Sequence, residues 1–320
     1  MNFQERHCVL CGPAAAAREK YPANFSIDDL NAAVFSARRL PDRRHFRLVE
    51  CLGCGMIYSS PACDPAVLAR LYETSAVTYE RQEGQIYDSY APVLDRALPG
   101  LARRGTFLEI GGGRGFMLRY GHERGFPHLV EVEPSADAER RFVPPAPGAR
   151  FLRGVFTRDT LPAGSASLAC FFQMLDHVPS PCAFLRDVCT CLEPGGAAVC
   201  VTHNTRAFSA RVLGERSPIF DVEHTYLFHP DNLGRLFQKA GFVGVETFAV
   251  ANNYSLGYWM HLAPLPGVLK RAGTALLGRS GLANRRVKLY AGNFAVIARK
   301  PLSPPASAED YLGHGNRNAA

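Results

Sequence analysis

Residues 106–117 read TFLEIGGGRGFM, and this stretch decides the fold of the chain. The first five residues form an apolar run with the length and β-propensity of a buried strand, and glycines follow at once. Phe116, Met117 and Tyr120 recur at helical spacing, so a helix is predicted to start near Phe116. A strand that runs through a glycine loop into a helix builds the nucleotide site of open α/β sheets, at the carboxyl ends of the strands.

The spacing of the loop narrows the choice of nucleotide. A dinucleotide loop needs Gly-x-Gly-x-x-Gly, but counting from Gly111 the last glycine would fall on Phe116. A pyrophosphate binds bare amides at a helix N-terminus, whereas here Glu109 stands two residues before the first glycine and suits a cationic ligand. Twenty residues after Gly113, an apolar run ends in Glu133, where a carboxylate can accept from both hydroxyls of a ribose.

With these residues the chain resembles the class I S-adenosylmethionine-dependent methyltransferases. The first motif of that family has the form acid-x-Gly-x-Gly-x-Gly, and its second strand ends in an acid. The resemblance implies S-adenosylmethionine as the cofactor and an α/β fold with a seven-stranded Rossmann-like methyltransferase sheet. Many members place an acid after the third strand to contact adenine; this chain has Val155 and Phe156, so we assign that contact to backbone and aromatic packing. The expected cofactor-binding residues are Glu109, Gly111, Gly113, Gly115, Glu133, Val155, Phe156 and Gln173.

Two cysteine knuckles stand near the N-terminus. Cys8 and Cys11 precede one glycine, and Cys51 and Cys54 precede another after thirty-nine intervening residues. Two Cys-x-x-Cys turns complete a closed tetrahedral site, which predicts a structural Zn²⁺. Residues 46–50 alternate like a strand leading into the second knuckle, so residues 1–60 are interpreted as a small zinc ribbon. The nearby Cys63 is not expected to be a ligand, because four thiolates already satisfy zinc.

Composition sets the remaining bounds. The chain has 320 residues, a net charge of +7 and 47% hydrophobic residues, which suits an ordinary soluble protein of one large domain and one small one. No apolar run reaches the ~20 residues of a bilayer span and the N-terminus lacks a signal peptide, so we expect a cytoplasmic protein. The arginines are scattered, which favours a solvated surface over an anionic partner such as a nucleotide-linked substrate or RNA.

The rest of the chain follows the family order. Residues 61–101 are predicted as a helical linker that covers the pocket, 102–300 as the methyltransferase core and 301–320 as a flexible tail. Tyr79, Tyr87 and Tyr90 could line the pocket, although core packing is the preferred reading. Residues 257–282 are apolar and basic; a packed helix pair is preferred to a membrane surface or an aliphatic substrate.

Later strands carry the polar residues of the expected site. The apolar run 168–174 is predicted as the fourth strand, followed by Asp176 and His177 at the mouth of the site. We prefer a structural, hydrogen-bonded role for His177. The fifth strand is predicted at 197–202, the sixth at 243–250 and the seventh at 292–299.

A Glu-His pair follows the fifth strand. In zinc-ribbon methyltransferases of this type such a pair lies over the substrate pocket, and in the deoxysugar C-methyltransferases, which the chain also resembles, it supplies the base. The resemblance implies His224 as general base, and Glu223 or another acid could orient its ring. We take His203 as the second candidate for the base. Tyr226 is expected to position the acceptor. Those enzymes usually carry a tyrosine where this chain has Val222, which leaves O-methylation open beside C-methylation.

The expected reaction is an in-line displacement that moves a methyl group to a small molecule. Nucleotide-linked sugars, glycan precursors and secondary metabolites are the expected acceptors. RNA modification is the alternative, but no Asn-Pro-Pro-Tyr-like motif follows the fourth strand, and no specific nucleic-acid partner is expected. A non-catalytic cofactor-binding scaffold is the third reading. The oligomeric state is not predicted.

Overall fold

In the computed structural model, residues 3–25, 44–75, 83–263 and 265–303 are described. Tyr79 and most of the predicted tail lie outside these ranges. The first elements in the chain are β1 (Phe3–Gln4), β2 (Ala17–Tyr21), β3 (Leu48–Cys51), β4 (Ile57–Ser59), β5 (Ala62–Cys63), α1 (Pro65–Glu73) and α2 (Glu83–Ala97). The predicted ribbon strands are therefore present on both sides of the second knuckle, and the linker after them is helical.

The remaining elements build an α/β core. Its first half contains β6 (Thr106–Ile110), α3 (Leu118–Glu123), β7 (His128–Glu133), α4 (Ala136–Arg140), β8 (Arg150–Arg153), β9 (Ala166–Phe172) and α5 (Pro181–Cys191). Its second half contains β10 (Leu192–His203), α6 (Phe208–Leu213), β11 (Tyr226–Leu227), α7 (Pro230–Lys239), β12 (Val243–Ser255), α8 (Leu256–Leu262), α9 (Gly267–Arg279) and β13 (Arg286–Arg299).

Seven strands form the central sheet, in the order β12-β13-β10-β9-β6-β7-β8. Strands β8, β7, β6, β9 and β10 are parallel, and β13 is antiparallel to both of its neighbours. Six of the seven residues of β9 are buried, because helices and loops cover both faces of the sheet. The predicted α/β fold is confirmed, and the carboxyl ends of the parallel strands meet at one edge.

Several boundaries differ from the prediction. The turn expected at 193–196 is part of β10, whose register with β9 shifts between Leu192 and Ala197. Strands β12 and β13 are both longer than predicted, because they pair with each other beyond the rest of the sheet, as far as Ser255 with Arg286. Helices α8 and α9 connect these two strands along the chain. They contact each other, as predicted for a packed helix pair, and Tyr258, Trp259 and Leu262 of α8 pack against the core, although none of the residues of either helix is fully buried.

A second sheet joins the ribbon to the core. Its order is β11-β4-β3-β2, so three strands come from the first sixty residues and one from far downstream. Tyr226 pairs with Tyr58 and Leu227 with Ile57 in an antiparallel register. The predicted division at residue 60 stays a prediction, and β11 crosses it. Among the described helices, none is long and apolar enough to span a membrane.

Candidate functional site

The four knuckle cysteines lie together. Their Sγ atoms are all within 4.8 Å of one another, and those of Cys8 and Cys54 are 3.5 Å apart. A tetrahedral zinc with Zn–S bonds of ~2.3 Å would place its sulfurs roughly 3.8 Å apart. The amide of Cys11 points at Cys8 Sγ at 3.4 Å, as expected for a thiolate knuckle. The donor set and its spacing therefore fit one Zn²⁺.

Helix α7 holds both knuckles against the core. At its N-terminus His229 Nε2 donates to the carbonyl of Cys54 at 2.9 Å, while His229 Nδ1 accepts from the amide of Asn232. At its C-terminus Lys239 Nζ donates to the carbonyls of Val9 and Leu10 at 3.1 and 2.8 Å. The position of the cysteine cluster is thus coupled to the helix that follows the Glu-His turn.

Thr225 connects the four-stranded sheet β11-β4-β3-β2, which we call the cysteine sheet, directly to the core. Its carbonyl accepts from the amide of Ser59 at 3.0 Å, and its own amide donates to the carbonyl of Asp176 at 2.8 Å. Ser59 ends β4, and Asp176 lies just after β9. The residue next to His224 is therefore clamped between the two sheets.

The glycine loop leaves β6 as predicted. Gly111 has φ of +69°, and a Cβ there would lie 2.6 Å from Met174 Cγ. At Gly112 a Cβ would overlap the Glu109 carboxylate at 2.2 Å. These two positions need glycine for different reasons: the first for its backbone conformation, and the second because a buried acid packs beneath it.

Three carboxylates surround this loop. Glu109 Oε2 accepts from the amide of Met117 at 3.0 Å, and Glu131 Oε1 accepts from the amide of Gly112 at 2.8 Å. Glu133 accepts from the amide of Gly113 at 3.2 Å and from that of Ser135 at 3.0 Å. The backbone of the loop is therefore fixed by acids from the first two parallel strands. The ribose contact expected of Glu133 stays a prediction.

Burial raises the pKa of all three carboxyl groups. It raises the pKa of Glu109 to about 8. Burial also raises the pKa of Glu131 well above its usual value, with the charges of Glu109 and Glu133 adding to the effect. The pKa of Glu133 is raised by burial too, although two backbone amides oppose the shift. A ligand that carries positive charge would favour the ionised forms.

Gln173 occupies a strained position after β9. Its φ is +53°, the single positive value for a non-glycine residue in the described ranges. Its amide donates to the carbonyl of Val201 at 2.7 Å, and its Nε2 donates to the hydroxyl of Tyr90 at 3.2 Å. Strain of this kind is retained where surrounding contacts over-determine it, which often happens at binding sites. Gln173 is therefore held directly after the carboxyl end of β9, and Tyr90 is buried beside it.

Val155 and Phe156 take different environments. Val155 is 59% exposed, whereas Phe156 is buried and makes an edge contact with the ring of Phe184. Their role in adenine binding stays a prediction. Tyr87 lies elsewhere, against Glu123 and the guanidinium of Arg119.

Three histidines converge on one buried acid. The Nε2 atoms of His177 and His224 each lie 3.8 Å from a carboxylate oxygen of Asp176, and that of His203 lies 4.0 Å away. Neither oxygen of Asp176 accepts a hydrogen bond from another side chain described in the structure. The ring centroids of His177 and His203 are 4.9 and 5.2 Å from that of His224. The expected base, its second candidate and the residues at the strand mouth thus form one cluster.

The outer nitrogens of two imidazoles are fixed by acceptors. His224 Nδ1 donates to the carbonyl of Ile219 at 2.7 Å. We assign the His203 Nδ1 proton to its 3.1 Å contact with Asn293 Oδ1, because Asn293 Nδ2 itself donates to Asn252 Oδ1. Both rings, when neutral, therefore direct an Nε2 lone pair toward the cluster.

His177 is held differently. Its Nδ1 lies 2.8 Å from the hydroxyl of Tyr72, and a carboxylate oxygen of Glu223 is 3.9 Å from the same nitrogen. Burial lowers the pKa of His177 to about 4, although Asp176 opposes the shift. Burial, followed by the charge of Glu223, raises the pKa of Tyr72, so its phenol stays protonated. His177 thus has the hydrogen-bonded role expected from the sequence, but inside the site.

The charge of Asp176 depends on these rings. Burial alone would raise its pKa, but the neighbouring imidazoles of His224, His177 and His203 outweigh burial and lower it. One ligand atom each from Asp176, His177 and His224 also lies within 4.8 Å of the others, close enough to share a divalent cation. The cluster is therefore suited to accept positive charge, as a proton or as a metal ion.

Tyr226 lies away from this cluster. It is buried in β11, its ring stacks on Tyr58 with centroids 5.9 Å apart, and the Arg6 guanidinium lies 5.4 Å from its ring centroid. Both partners belong to the N-terminal part of the chain. The acceptor-positioning role predicted for Tyr226 stays a prediction, and the phenol that contacts the histidines belongs to Tyr72.

Sequence reasoning did not assign Tyr72, Glu131 or Asn293 to the site. Glu131 interrupts an apolar strand, and a charge in a buried strand is a pattern that could have identified it. Tyr72 and Asn293 give no comparable pattern, because their histidine partners are 105 and 90 residues away in the chain.

Comparison with known proteins gives one family match. A family model described as "Methyltransferase domain" matches residues 81–247, just over half of the chain. No protein of curated function matches significantly. Among solved structures, the chain is similar to the methyltransferase in a complex with the Haloferax volcanii Trm112 methyltransferase activator, with 16% identity, 69% of this chain and 95% of that chain covered, and a TM-score of 0.46.

Two further solved structures illustrate the similarity. A possible histamine N-methyltransferase from Thermotoga maritima has 19% identity, 69% of this chain and 94% of that chain covered, and a TM-score of 0.45. For phosphoethanolamine N-methyltransferase 2 from Haemonchus contortus the identity is 17%, the covered shares are 67% and 53%, and the TM-score is 0.42.

Loss of the cysteine cluster should loosen the Glu-His turn. The Cys51→Ser variant is expected to lose bound zinc and to unfold on the order of 10 °C lower than the parent chain, because metal affinity contributes to folding. Metal content is measured by mass spectrometry and unfolding by calorimetry. The matched control is Cys63→Ala, a buried cysteine outside the cluster, which should keep its zinc. A zinc-free parent chain of unchanged stability would contradict the prediction.

Cofactor affinity should increase with pH through Glu109. With a pKa of about 8, Glu109 is protonated below that pH, and the ionised fraction that attracts a cation grows as the pH rises. At pH 6 roughly one molecule in a hundred is ionised, and at pH 8 about half. Glu109→Gln imitates the protonated form.

The parent and the variant are compared by titration calorimetry with S-adenosylmethionine. Their affinities should converge near pH 6, and the parent should bind at least about threefold more tightly near pH 8. Running both proteins at each pH removes the effect of the cofactor's own titration. A ratio that does not change with pH would show that Glu109 does not sense the ligand charge.

Proposed function

Because the chain belongs to the family with this methyltransferase domain, we propose that it uses S-adenosylmethionine to methylate a small molecule such as a nucleotide-linked sugar, a glycan precursor or a secondary metabolite. The sulfonium donor is already activated, so the protein must align the acceptor and remove its proton. The proposal places the reaction in the cytoplasm and the cofactor on the glycine loop, with Glu109 and Glu133 as its acidic contacts.

The observation that carries this proposal is the set of imidazoles around Asp176. Neutral His224 and His203 direct Nε2 lone pairs toward a buried carboxylate, an arrangement that becomes favourable when one ring gains a proton. A proton taken from the acceptor by His224 Nε2 forms an imidazolium 3.8 Å from Asp176. The charge separation is therefore stabilised at the moment it develops.

The residues around the base have separate tasks. In the proposal, the carbonyl of Ile219 keeps the base in the tautomer with a free Nε2, because a carbonyl can only accept. Tyr72 and Glu223 hold the neutral ring of His177, which limits where the acceptor can lie. His203 is the second candidate base.

The acceptor atom is carbon or oxygen in this scheme. Similarity to the deoxysugar C-methyltransferases supports carbon, but Val222 is buried in an apolar cluster with Phe46 and Leu68 and offers no phenol. Tyr72 brings the phenol to the histidines from another element. An enolate would need the full strength of the base, whereas a hydroxyl needs assistance only as the methyl group is transferred.

We assign Zn²⁺ to the four knuckle cysteines as a structural ion. Four thiolates leave no open coordination position, so the metal would not contact the acceptor. Its effect on catalysis would pass through Thr225, whose backbone joins Ser59 to Asp176.

Replacing the proposed base should slow turnover without weakening cofactor binding. His224→Ala is expected to lower kcat by about 10²- to 10⁴-fold, because proton removal is lost, and Asp176→Asn should also lower it, because the imidazolium loses its counter-charge. Turnover is followed as labelled methyl transfer to a panel of nucleotide sugars and cell extract, with products identified by mass spectrometry. Cofactor affinity is measured by calorimetry.

The control for this experiment is His128→Ala, an exposed histidine at the amino end of β7 and the opposite edge of the sheet. It should keep the parental rate. Undiminished turnover in His224→Ala would remove the base assignment. A rate that is lost on chelation of weakly bound divalent ions and returns with them would assign the cluster to a catalytic metal instead.

A further inference from the structure

The longest extension of the central sheet ends in a helical arm. Beyond the last pair between β10 and β13, His203 with Asn293, strands β12 and β13 continue together to Ser255 and Arg286. We call residues 256–263 and 265–290 the basic arm. Strand β12 runs parallel to β10, so the basic arm leaves the sheet at the same edge as the histidine cluster.

Helix α9 turns its apolar face outward. Val268, Leu269 and Leu276 are 67%, 55% and 69% exposed, and their spacing places them within about 100° of the helix circumference. A neighbouring side of α9 packs on α8, where a Cβ at Gly273 would lie 2.8 Å from Met260. Burial is thus inverted relative to an ordinary surface helix, whose apolar stripe faces the core.

The charge of this region is of one sign. No aspartate or glutamate occurs from residue 247 to residue 308 of the sequence. The basic residues of the arm are Lys270, Arg271, Arg279, Arg285, Arg286 and Lys288. Of these, Arg286 pairs with Asp88 of α2, outside the arm. Exposed leucines and cations therefore occur together in the arm, which has no acidic residue of its own to neutralise the cations.

Further apolar side chains are exposed elsewhere in the arm. Leu265, Leu282, Leu289 and Tyr290 are all exposed, and they lie on segments before and after α9. Such a combination is suited to the boundary of an anionic bilayer, where leucines enter the acyl region and cations meet the headgroups. A patch for a folded protein partner would not require the complete absence of acids.

We propose that the basic arm docks this enzyme on the surface of anionic membranes. Val268, Leu269 and Leu276 insert below the headgroups, and the remaining cations of the arm, Arg271, Arg279, Arg285 and Lys288, bind the lipid phosphates. The docking concerns binding alone, and it stands whether or not the proposed acceptor class is right.

The test is sedimentation of the full chain with lipid vesicles. Vesicles of phosphatidylcholine with about 30% phosphatidylglycerol should bind the protein, those of phosphatidylcholine alone should bind it much less, and salt should weaken the binding. The double variant Leu269→Asp with Leu276→Asp should lower the partition coefficient at least about tenfold, because two inserted side chains become charged.

The matched control places the same charges elsewhere. Val143 and Leu302 are 77% and 80% exposed outside the arm, so Val143→Asp with Leu302→Asp changes the net charge equally. This control should bind as the parent does. Unfolding temperature and cofactor affinity are measured for each protein, so that loss of binding is not confused with loss of fold.

Five outcomes would overturn the proposal. Three of them are a parent chain that does not bind anionic vesicles, an equal loss of binding in the control, and a double variant that binds as the parent does. The fourth is a parent chain that self-associates through the arm, and the fifth is one that bulk RNA removes from vesicles at low concentration, since the surface would then serve a second copy or a nucleic acid.

Discussion

The backbone of Thr225 is the constraint on which the site depends. Its carbonyl accepts from the amide of Ser59 at the end of β4, and its amide donates to the carbonyl of Asp176 in the turn after β9, so one residue links the two sheets. His224 precedes it and β11 follows it. The proposed base therefore takes its position from both halves of the molecule, and neither half can shift without moving it.

The sequence was sufficient wherever chemistry was local. The glycine loop, the acid at the end of β7 and the paired knuckles lie within short stretches whose spacing has one physical explanation, and the structure confirms the fold that they predict. The α/β order was equally accessible, because buried parallel strands read as continuous apolar runs. Boundaries were less so: β12 and β13 extend each other only because they are neighbours in space.

Long-range pairings could not be predicted. The contact of Tyr72 with His177 and the addition of β11 to the ribbon each join segments more than a hundred residues apart. The stacking of Tyr226 on Tyr58 is another such pairing, because the place of Tyr226 beside the Glu-His pair in the sequence gives no sign of a partner in β4. The sequence predicts that His177 is hydrogen-bonded, but it does not predict that the partner is Tyr72 or that the ring lies beside Asp176.

The carboxyl groups beneath the glycine loop have a consequence for the lifetime of the protein. Burial raises the pKa of Glu109, Glu131 and Glu133, so the ligand-free fold loses stability as the pH rises through these values. A bound cation relieves that penalty and adds the stabilisation expected of any ligand that prefers the native state. Chains that hold cofactor would therefore unfold, and be cleaved by proteases, less often than empty ones.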